Sequence, residues 1–160
     1  MLGVVGVEEI AKVKDWFAHY MAWKGFIKNT AILIQNLKAE IEMEAAPQGV
    51  RYDLVPGDGG GEHDSTEERN LERKEQIQAK ITQLEQRART ARNRVAIMDS
   101  TMEALHPWEK ELLQYRDIEG LKWAAVALRI GVTEKTARIA HQKTLEKVAI
   151  TIFGIGLDTV

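Results

Sequence analysis

The sequence lacks cysteine and has little serine, two residue types that commonly supply the nucleophile of an enzyme. It has no cysteine in 160 residues, which excludes disulfides, thiolate nucleophiles and zinc–thiolate sites. Its only serines are Ser65 and Ser100, and neither lies on the strand-to-helix elbow that presents a nucleophilic serine. No nucleophile–base pair is evident, so we expect no enzymatic activity and no cofactor.

Histidine is also scarce, with four in the chain: His19, His63, His106 and His141. His63 does have acidic neighbours at Asp58, Glu62 and Asp64. A flexible acidic segment is the better interpretation of this cluster, because a metal site needs ligands held in fixed geometry. His141 is better interpreted as a packing residue than as a catalyst. We therefore expect no metal site.

Long apolar runs are missing as well. No segment approaches the roughly 20 apolar residues that a membrane-spanning helix needs. The opening MLGVVGV is short and lacks the basic start of a secretion signal. Together with the absence of cysteine and the Glu/Lys-rich helices, these features predict a cytoplasmic protein that does not enter a membrane.

Positive charge is concentrated in one segment of the sequence rather than spread along it. The formal net charge is −2, which does not by itself indicate a nucleic-acid-binding protein. Residues 1–68 carry 6 basic and 12 acidic side chains, whereas residues 69–94 carry 8 basic and 3 acidic ones. Such a distribution is expected when only one face of a protein meets DNA.

The first 44 residues are expected to form an N-terminal long helix. Over residues 8–44, apolar side chains recur at spacings of 3 and 4, which is typical of a helix. One stripe comprises Ile10, Val13, Phe17, Tyr20, Ile27, Ala31, Ile34 and Ile41, and a second apolar row runs from Trp16 to Leu37. This apolar face is too wide for one partner helix to cover. The four tryptophans fall at apolar helical positions that predict core packing: Trp16, Trp23, Trp108 and Trp123.

Residues 45–66 contain two prolines and five glycines, which exclude a helix there and predict a flexible linker. A nucleotide-binding glycine loop is the alternative. It is disfavoured because no GK[ST] sequence follows and no strand precedes the glycines.

Residues 67–104 are expected to form a second long, basic helix, capped by Asp64, Ser65 or Thr66. Its apolar residues alternate at spacings of 4 and 3: Ile77, Ile81, Leu84, Ala88, Ala91, Val95, Met98, Met102 and Leu105. This heptad seam predicts a coiled coil. The linker would allow the two long helices to pair antiparallel, and a dimeric bundle would cover the second apolar row.

Residues 119–148 have the pattern of a helix-turn-helix. Ala127 precedes Gly131 by four residues, which suits two closely crossing helices joined by a left-handed glycine turn. Thr133 then offers an N-cap for the second helix. That helix carries Lys135, Arg138, Gln142, Lys143 and Lys147. Basic and amide side chains of this kind can contact bases in the DNA major groove and the phosphates that flank it.

This stretch resembles region 4 of bacterial sigma factors, in the pattern E-G-x-S-x-x-E-I-A-x-x-L-G-I-S-x-x-T-V. The matching residues are Glu119, Gly120, Val126, Ala127, Gly131, Val132, Thr133, Thr136 and Ala137. Residues 105–118 look like the first helix of region 4, with Pro107 in its first turn. Lys122 departs from the pattern, which has a capping serine there.

The whole layout is similar to the ArpU/RinA-like phage late transcription regulators. Those proteins have an N-terminal helix, a Pro/Gly-rich linker, a long basic helix and a C-terminal region 4-like module. The fold we expect is all-α, with a long helical hairpin or coiled coil followed by a three-helix helix-turn-helix module at 105–160. The resemblance implies a phage or prophage activator of late genes that acts with host RNA polymerase.

The predicted DNA-binding residues fall into two groups. Lys135, Arg138 and Gln142 share one helical face and are expected to read bases, supported by Thr133 and Thr136, whereas Lys143 and Lys147 are better placed for phosphates. A second group, Arg87, Arg89, Arg92 and Arg94, is the densest basic cluster. It is interpreted either as a solvated helix face or as phosphate contacts.

The function we expect is sequence-specific binding of double-stranded DNA in transcription regulation. The protein would be a homodimer joined through its long helices and associated with the nucleoid. Cleavage in the linker should leave a fragment of about residues 65–160 that still binds DNA. One alternative is the small subunit of a phage terminase, which serves DNA packaging and would form a ring of subunits. Another is a coiled-coil adaptor that does not bind DNA.

Overall fold

The computed structural model describes the backbone of residues 6–45 and 63–154. Within these ranges the chain forms α1 (Val7–Ala45), α2 (His63–Glu103), α3 (Pro107–Leu113), a π-helical segment (Gln114–Ile118), α4 (Trp123–Ile130) and α5 (Glu134–Phe153), with no strand. The predicted all-α fold, a long helical hairpin followed by a helix-turn-helix module, is confirmed. None of the described helices combines the length and apolarity needed to cross a membrane.

The observed limits of the two long helices differ slightly from the predicted ones. Residues 63–66, which the sequence assigned to the linker, are already helical in α2. This start follows the last linker glycine closely, because the HDSTEE sequence contains neither glycine nor proline. Ala45, at the other end of the predicted linker, belongs to α1. Residues 46–62, and with them Asp58 and Glu62 of the acidic cluster, lie outside the described residues.

The described residues divide into two compact units, and both contain parts of α1 and α2. One unit is Ile27–Arg89. Its core consists of Leu37, Ile77 and Ile81. Arg73 of α2 donates to Glu40 of α1 at 2.7 Å. Later residues of α1 thus meet earlier residues of α2, which is the predicted antiparallel pairing.

The other unit joins the start of α1 and the end of α2 to the C-terminal helices. Its main core contains buried side chains from each of these parts: Val13, Phe17, Met98, Leu105, Leu113, Leu145, Val148 and Ala149. Tyr20 of α1 donates to Asp99 of α2 at 2.5 Å. Burial, together with this bond to the Asp99 carboxylate, raises the pKa of Tyr20 to about 12. Helix α5 therefore packs against the N-terminal part of α1 and the C-terminal part of α2.

The heptad seam of α2 is covered within the chain. Its buried members are Ile77, Ile81, Ala88, Ala91, Met98 and Leu105, and the apolar clusters that contain Ile77, Ile81, Met98 and Leu105 include side chains of α1. A dimer formed through this seam would have to separate α2 from α1. Association of two copies therefore stays a prediction, and it would have to use other side chains.

Helices α3, α4 and α5 pack against one another around Leu112, Val126, Ala127 and Ala137. Gly131 ends α4 with a φ of 82°, and its amide donates to the Ala127 carbonyl at 2.9 Å. Only glycine takes this left-handed backbone without strain. The Thr133 hydroxyl accepts the Thr136 amide at 3.2 Å and caps α5. The turn chemistry is therefore as the sequence predicts.

Candidate nucleic-acid interface

The first half of α5 presents the predicted DNA-binding side chains to solvent. Its inward face comprises Ala137, His141, Thr144 and Leu145, which are buried. The predicted DNA-binding side chains in this half of α5 are exposed: Lys135, Thr136, Arg138, Gln142 and Lys143. The helical period thus separates a packing face from a polar face that a groove of DNA could receive.

The cations on this face differ in how they are held. Arg138 lies 3.7 Å from the Glu134 carboxylate, and its guanidinium stands 5.5 Å from the centre of the Trp123 ring. Lys135 and Lys143 have no carboxylate within ion-pair distance in the part of the chain that the structure describes. These two lysines are therefore the most available cations on the exposed side of α5.

Lys147 has a different environment from the other predicted DNA-binding residues. Its ammonium lies 3.1 Å from Oε2 of Glu109, a carboxylate that is only 8% exposed in its side chain. The His106 amide also donates to Glu109, at 2.9 Å. Lys147 thus joins α5 to α3 and neutralises a buried charge. The sequence did not indicate this partner, because Glu109 lies 38 residues from Lys147 along the chain.

The Glu109 contacts predict a pH-dependent contribution to stability. Burial alone would raise the pKa of Glu109, but the hydrogen bond from the His106 amide and the Lys147 ammonium together hold this pKa below its usual value. Since the folded pKa is lowered, the stabilisation is present above the unfolded pKa and is lost as pH falls through the folded pKa.

Glu109→Gln should therefore reduce the free energy of unfolding by about 1–3 kcal/mol at neutral pH. The difference from the wild-type protein should shrink on acidification, because protonated Glu109 no longer attracts Lys147. Urea unfolding at about pH 7 and about pH 3 measures this. Glu111→Gln, an exposed position on the same helix, is the matched control. A difference independent of pH would show that the Glu109 charge does not contribute.

An apolar groove lies beside the polar face of α5, between α3 and the turn. It has a volume of about 400 Å³ and is lined in part by Trp108, Val132, Thr136 and Ala140. Trp108 is 45% exposed, and Ile139 on α5 is 50% exposed. The prediction that all four tryptophans pack in the core is therefore wrong for Trp108. Helical spacing placed it on an apolar stripe but did not show where that stripe ends.

A second, more polar cleft of about 560 Å³ adjoins the other side of α5. Its lining comes from α1, the π-helical segment, the turn at Gly120, α4 and α5: Lys14, Ala18, Arg116, Asp117, Gly120, Trp123, Arg138, His141 and Gln142. All of these residues belong to the unit that contains the helix-turn-helix. The sequence singled out Arg138 and Gln142 among them, interpreted His141 and Trp123 as packing residues, and gave no role to Lys14 or Arg116.

His141 and Asp117 form a buried polar pair at the base of this cleft. Nε2 of His141 lies 2.6 Å from Oδ2 of Asp117, and their side chains are 6% and 7% exposed. The imidazole also meets the Trp123 ring edge-on, with ring centres 5.0 Å apart. The interpretation of His141 as a packing residue with a satisfied polar atom is confirmed.

The π-helical segment Gln114–Ile118 positions Arg116 and Asp117. The Glu119 amide donates to the Gln114 carbonyl at 2.9 Å, an i to i−5 bond, and the Leu121 amide reaches the Tyr115 carbonyl at 2.8 Å. Gly120 then turns the chain with a φ of 71°. π-Helical turns are rare, and those that occur are frequently at functional sites. The turn that carries Arg116 and Asp117 therefore marks the cleft as a candidate functional site.

The arginine cluster of α2 is not uniform. Arg87, Arg89 and Arg92 are exposed and make no ion pair within the described ranges. The Arg94 guanidinium instead stands 5.1 Å from the ring centre of Trp23 and 5.5 Å from that of Trp16. Arg94 is thus held on aromatic side chains of α1 by cation–π contacts. The other three arginines fit either interpretation of the cluster.

Among the described residues, no three histidines or carboxylates lie close enough to hold a metal ion. Comparison with known proteins gives no assignment, since no protein family, curated protein or solved structure shows a significant match to the chain.

Proposed function

We propose that this protein binds double-stranded DNA sequence-specifically and regulates transcription. The observation that supports this most is the α4–turn–α5 arrangement. A glycine turn and a threonine cap hold α5 so that its early polar side chains face solvent while its opposite face packs in the core. An exposed helix of this kind, fixed by a tight turn to a second helix, is the arrangement that reads the major groove in helix-turn-helix proteins.

The charges of α5 suggest how the contacts would be divided. Lys135 lies in the first turn and has no acidic partner among the described side chains, so it is free to donate to guanine O6 and N7. Thr136 and Ile139 provide methyl groups next to it, which suit the methyl group of thymine. Lys143 lies two turns later and would contact phosphate.

The resemblance to phage late regulators makes the proposal more specific. In this form the protein is a phage or prophage activator that associates with the nucleoid and contacts host RNA polymerase. The half-exposed Trp108 is the side chain we would assign to a protein contact, since exposed aromatics are enriched at interface centres. A homodimer remains part of the proposal, formed without the α2 seam.

Base reading by Lys135 can be tested against phosphate contact by Lys143. A preferred duplex is first selected from a random library. Lys135→Ala should weaken binding to that duplex by about 1–3 kcal/mol and weaken binding to a scrambled duplex much less. Lys143→Ala should weaken both by similar amounts. Fluorescence anisotropy titrations measure the four affinities. If the two variants lose the same affinity on both duplexes, Lys135 does not read bases.

A further inference from the structure

We propose that the cleft between α1 and α5 is a phosphate-binding site, with Lys14, Arg116 and Arg138 as its cationic groups. These three side chains come from α1, the π-helical segment and α5, and all three line the same 560 Å³ space. Residues so far apart in the sequence are brought together only by the packing of α5 on the start of α1.

The two guanidinium groups are organised around one aromatic ring. The guanidinium of Arg116 stands 4.7 Å from the centre of the Trp123 ring and that of Arg138 stands 5.5 Å from it. Arg116 also donates from Nη1 to the Leu121 carbonyl at 2.8 Å. Because their positions are held in this way, little conformational entropy is lost when their remaining N–H donors meet an anion.

The charge balance of the cleft favours an anion. The only carboxylate in its lining is Asp117, which is hydrogen-bonded to His141. Glu134 pairs with Arg138 from outside the lining. Lys14 is exposed on α1 and has no ion-pair partner among the described side chains. A phosphate oxygen would give Lys14 the partner it lacks and would accept from Arg116 in the fork geometry that arginine offers.

The phosphate can come from either of two sources. If it belongs to DNA, the inference rests on the proposed function, and α1 then contacts the backbone beside the groove that α5 enters. In that case Arg138 would hold a phosphate rather than read a base, contrary to the expectation from its position on the helix. If the phosphate belongs to a free ligand, the cleft is an effector site and the inference stands without DNA binding.

The test compares Lys14→Gln with Lys12→Gln in the full-length protein. Both lysines are exposed on α1, but Lys12 pairs with Glu8 at 3.2 Å and does not line the cleft. Affinity for the selected duplex is measured over a range of salt concentrations, and affinity for pyrophosphate is measured by calorimetry. Circular dichroism confirms that the variants stay helical.

A DNA phosphate in the cleft predicts that Lys14→Gln makes the log–log salt slope shallower by about one, while Lys12→Gln leaves it unchanged. A free-phosphate site predicts an unchanged slope and about a tenfold weaker affinity for pyrophosphate in Lys14→Gln alone. If Lys14→Gln behaves like Lys12→Gln in both measurements, the cleft is not a phosphate site, although DNA binding by α5 can still hold. If wild-type protein binds pyrophosphate through Lys14 but binds no duplex, the cleft proposal stands and the proposed function fails.

Discussion

Replacing His141 with leucine is expected to lower the free energy of unfolding by about 3–5 kcal/mol, a large share of the stability of a small protein. The substitution removes the ring nitrogen that lies 2.6 Å from Asp117 and leaves that buried carboxylate with no cation within ion-pair distance among the described residues. Leucine fills a volume similar to that of histidine, so the loss reflects the unpaired polar group rather than a cavity. Urea unfolding at neutral pH gives the free energy.

The double variant His141→Leu/Asp117→Leu provides the control. Removing both members of a buried pair costs far less than removing one, because no polar atom is then left without a partner. We therefore expect the double variant to recover most of the stability lost in either single variant. If the losses in the single variants simply add in the double variant, the two side chains are not energetically coupled, and the 2.6 Å contact contributes nothing specific.

Phe17→Ala is expected to have a similarly large effect, also about 3–5 kcal/mol. Phe17 is 0% exposed and belongs to the core that also holds Leu145 and Val148 of α5. The loss should therefore appear in the helix-turn-helix unit and not only in the hairpin. Met21→Ala, one turn later on α1 at a side chain that is 60% exposed, should change the free energy of unfolding by less than about 0.5 kcal/mol.

The Phe17 contacts also change what is expected of a truncated protein. From the sequence, a fragment of about residues 65–160 should keep its DNA affinity. In the structure that fragment would lack Val13 and Phe17, and it would expose the apolar side chains of α5 that they cover. We now expect the fragment to be unstable. Native-state hydrogen exchange on Phe17→Ala would show this dependence as lost protection in α5, whereas unchanged protection there would indicate that α5 does not depend on the Phe17 contacts.

Local chemistry made much of this fold predictable. Pro107, Gly131 and Thr133 each act through the backbone conformation of a few neighbouring residues, so the sequence alone places the start of α3, the end of α4 and the start of α5. The sequence signal for the α2 seam is equally local, since a 4-3 spacing of apolar side chains marks one side of a helix. That spacing does not say which helix covers the seam. A second copy of α2 and the chain's own α1 satisfy it equally well.

The candidate site was predictable only in part, because much of it depends on contacts between distant residues. The exposed face of α5 follows from the helical period. Nothing near Lys14 in the sequence suggests Arg116 as a neighbour, and nothing near Lys147 indicates that it neutralises Glu109. The π-helical turn has no signature that propensity reasoning detects. Packing of α5 on the start of α1 creates the cleft, whereas packing of α5 against α3 and α4 creates the groove beside Trp108.

Selection of duplexes from a random-sequence library by the full-length protein tests sequence-specific DNA binding most directly. Several rounds should enrich one short motif, and the enriched duplex should bind at least about 10³ times more tightly than a scrambled duplex at physiological salt. The triple variant Lys135→Ala/Arg138→Ala/Gln142→Ala should abolish the enrichment while remaining helical. Equal affinity for every duplex, or no affinity for any, would contradict the proposal that α5 reads DNA.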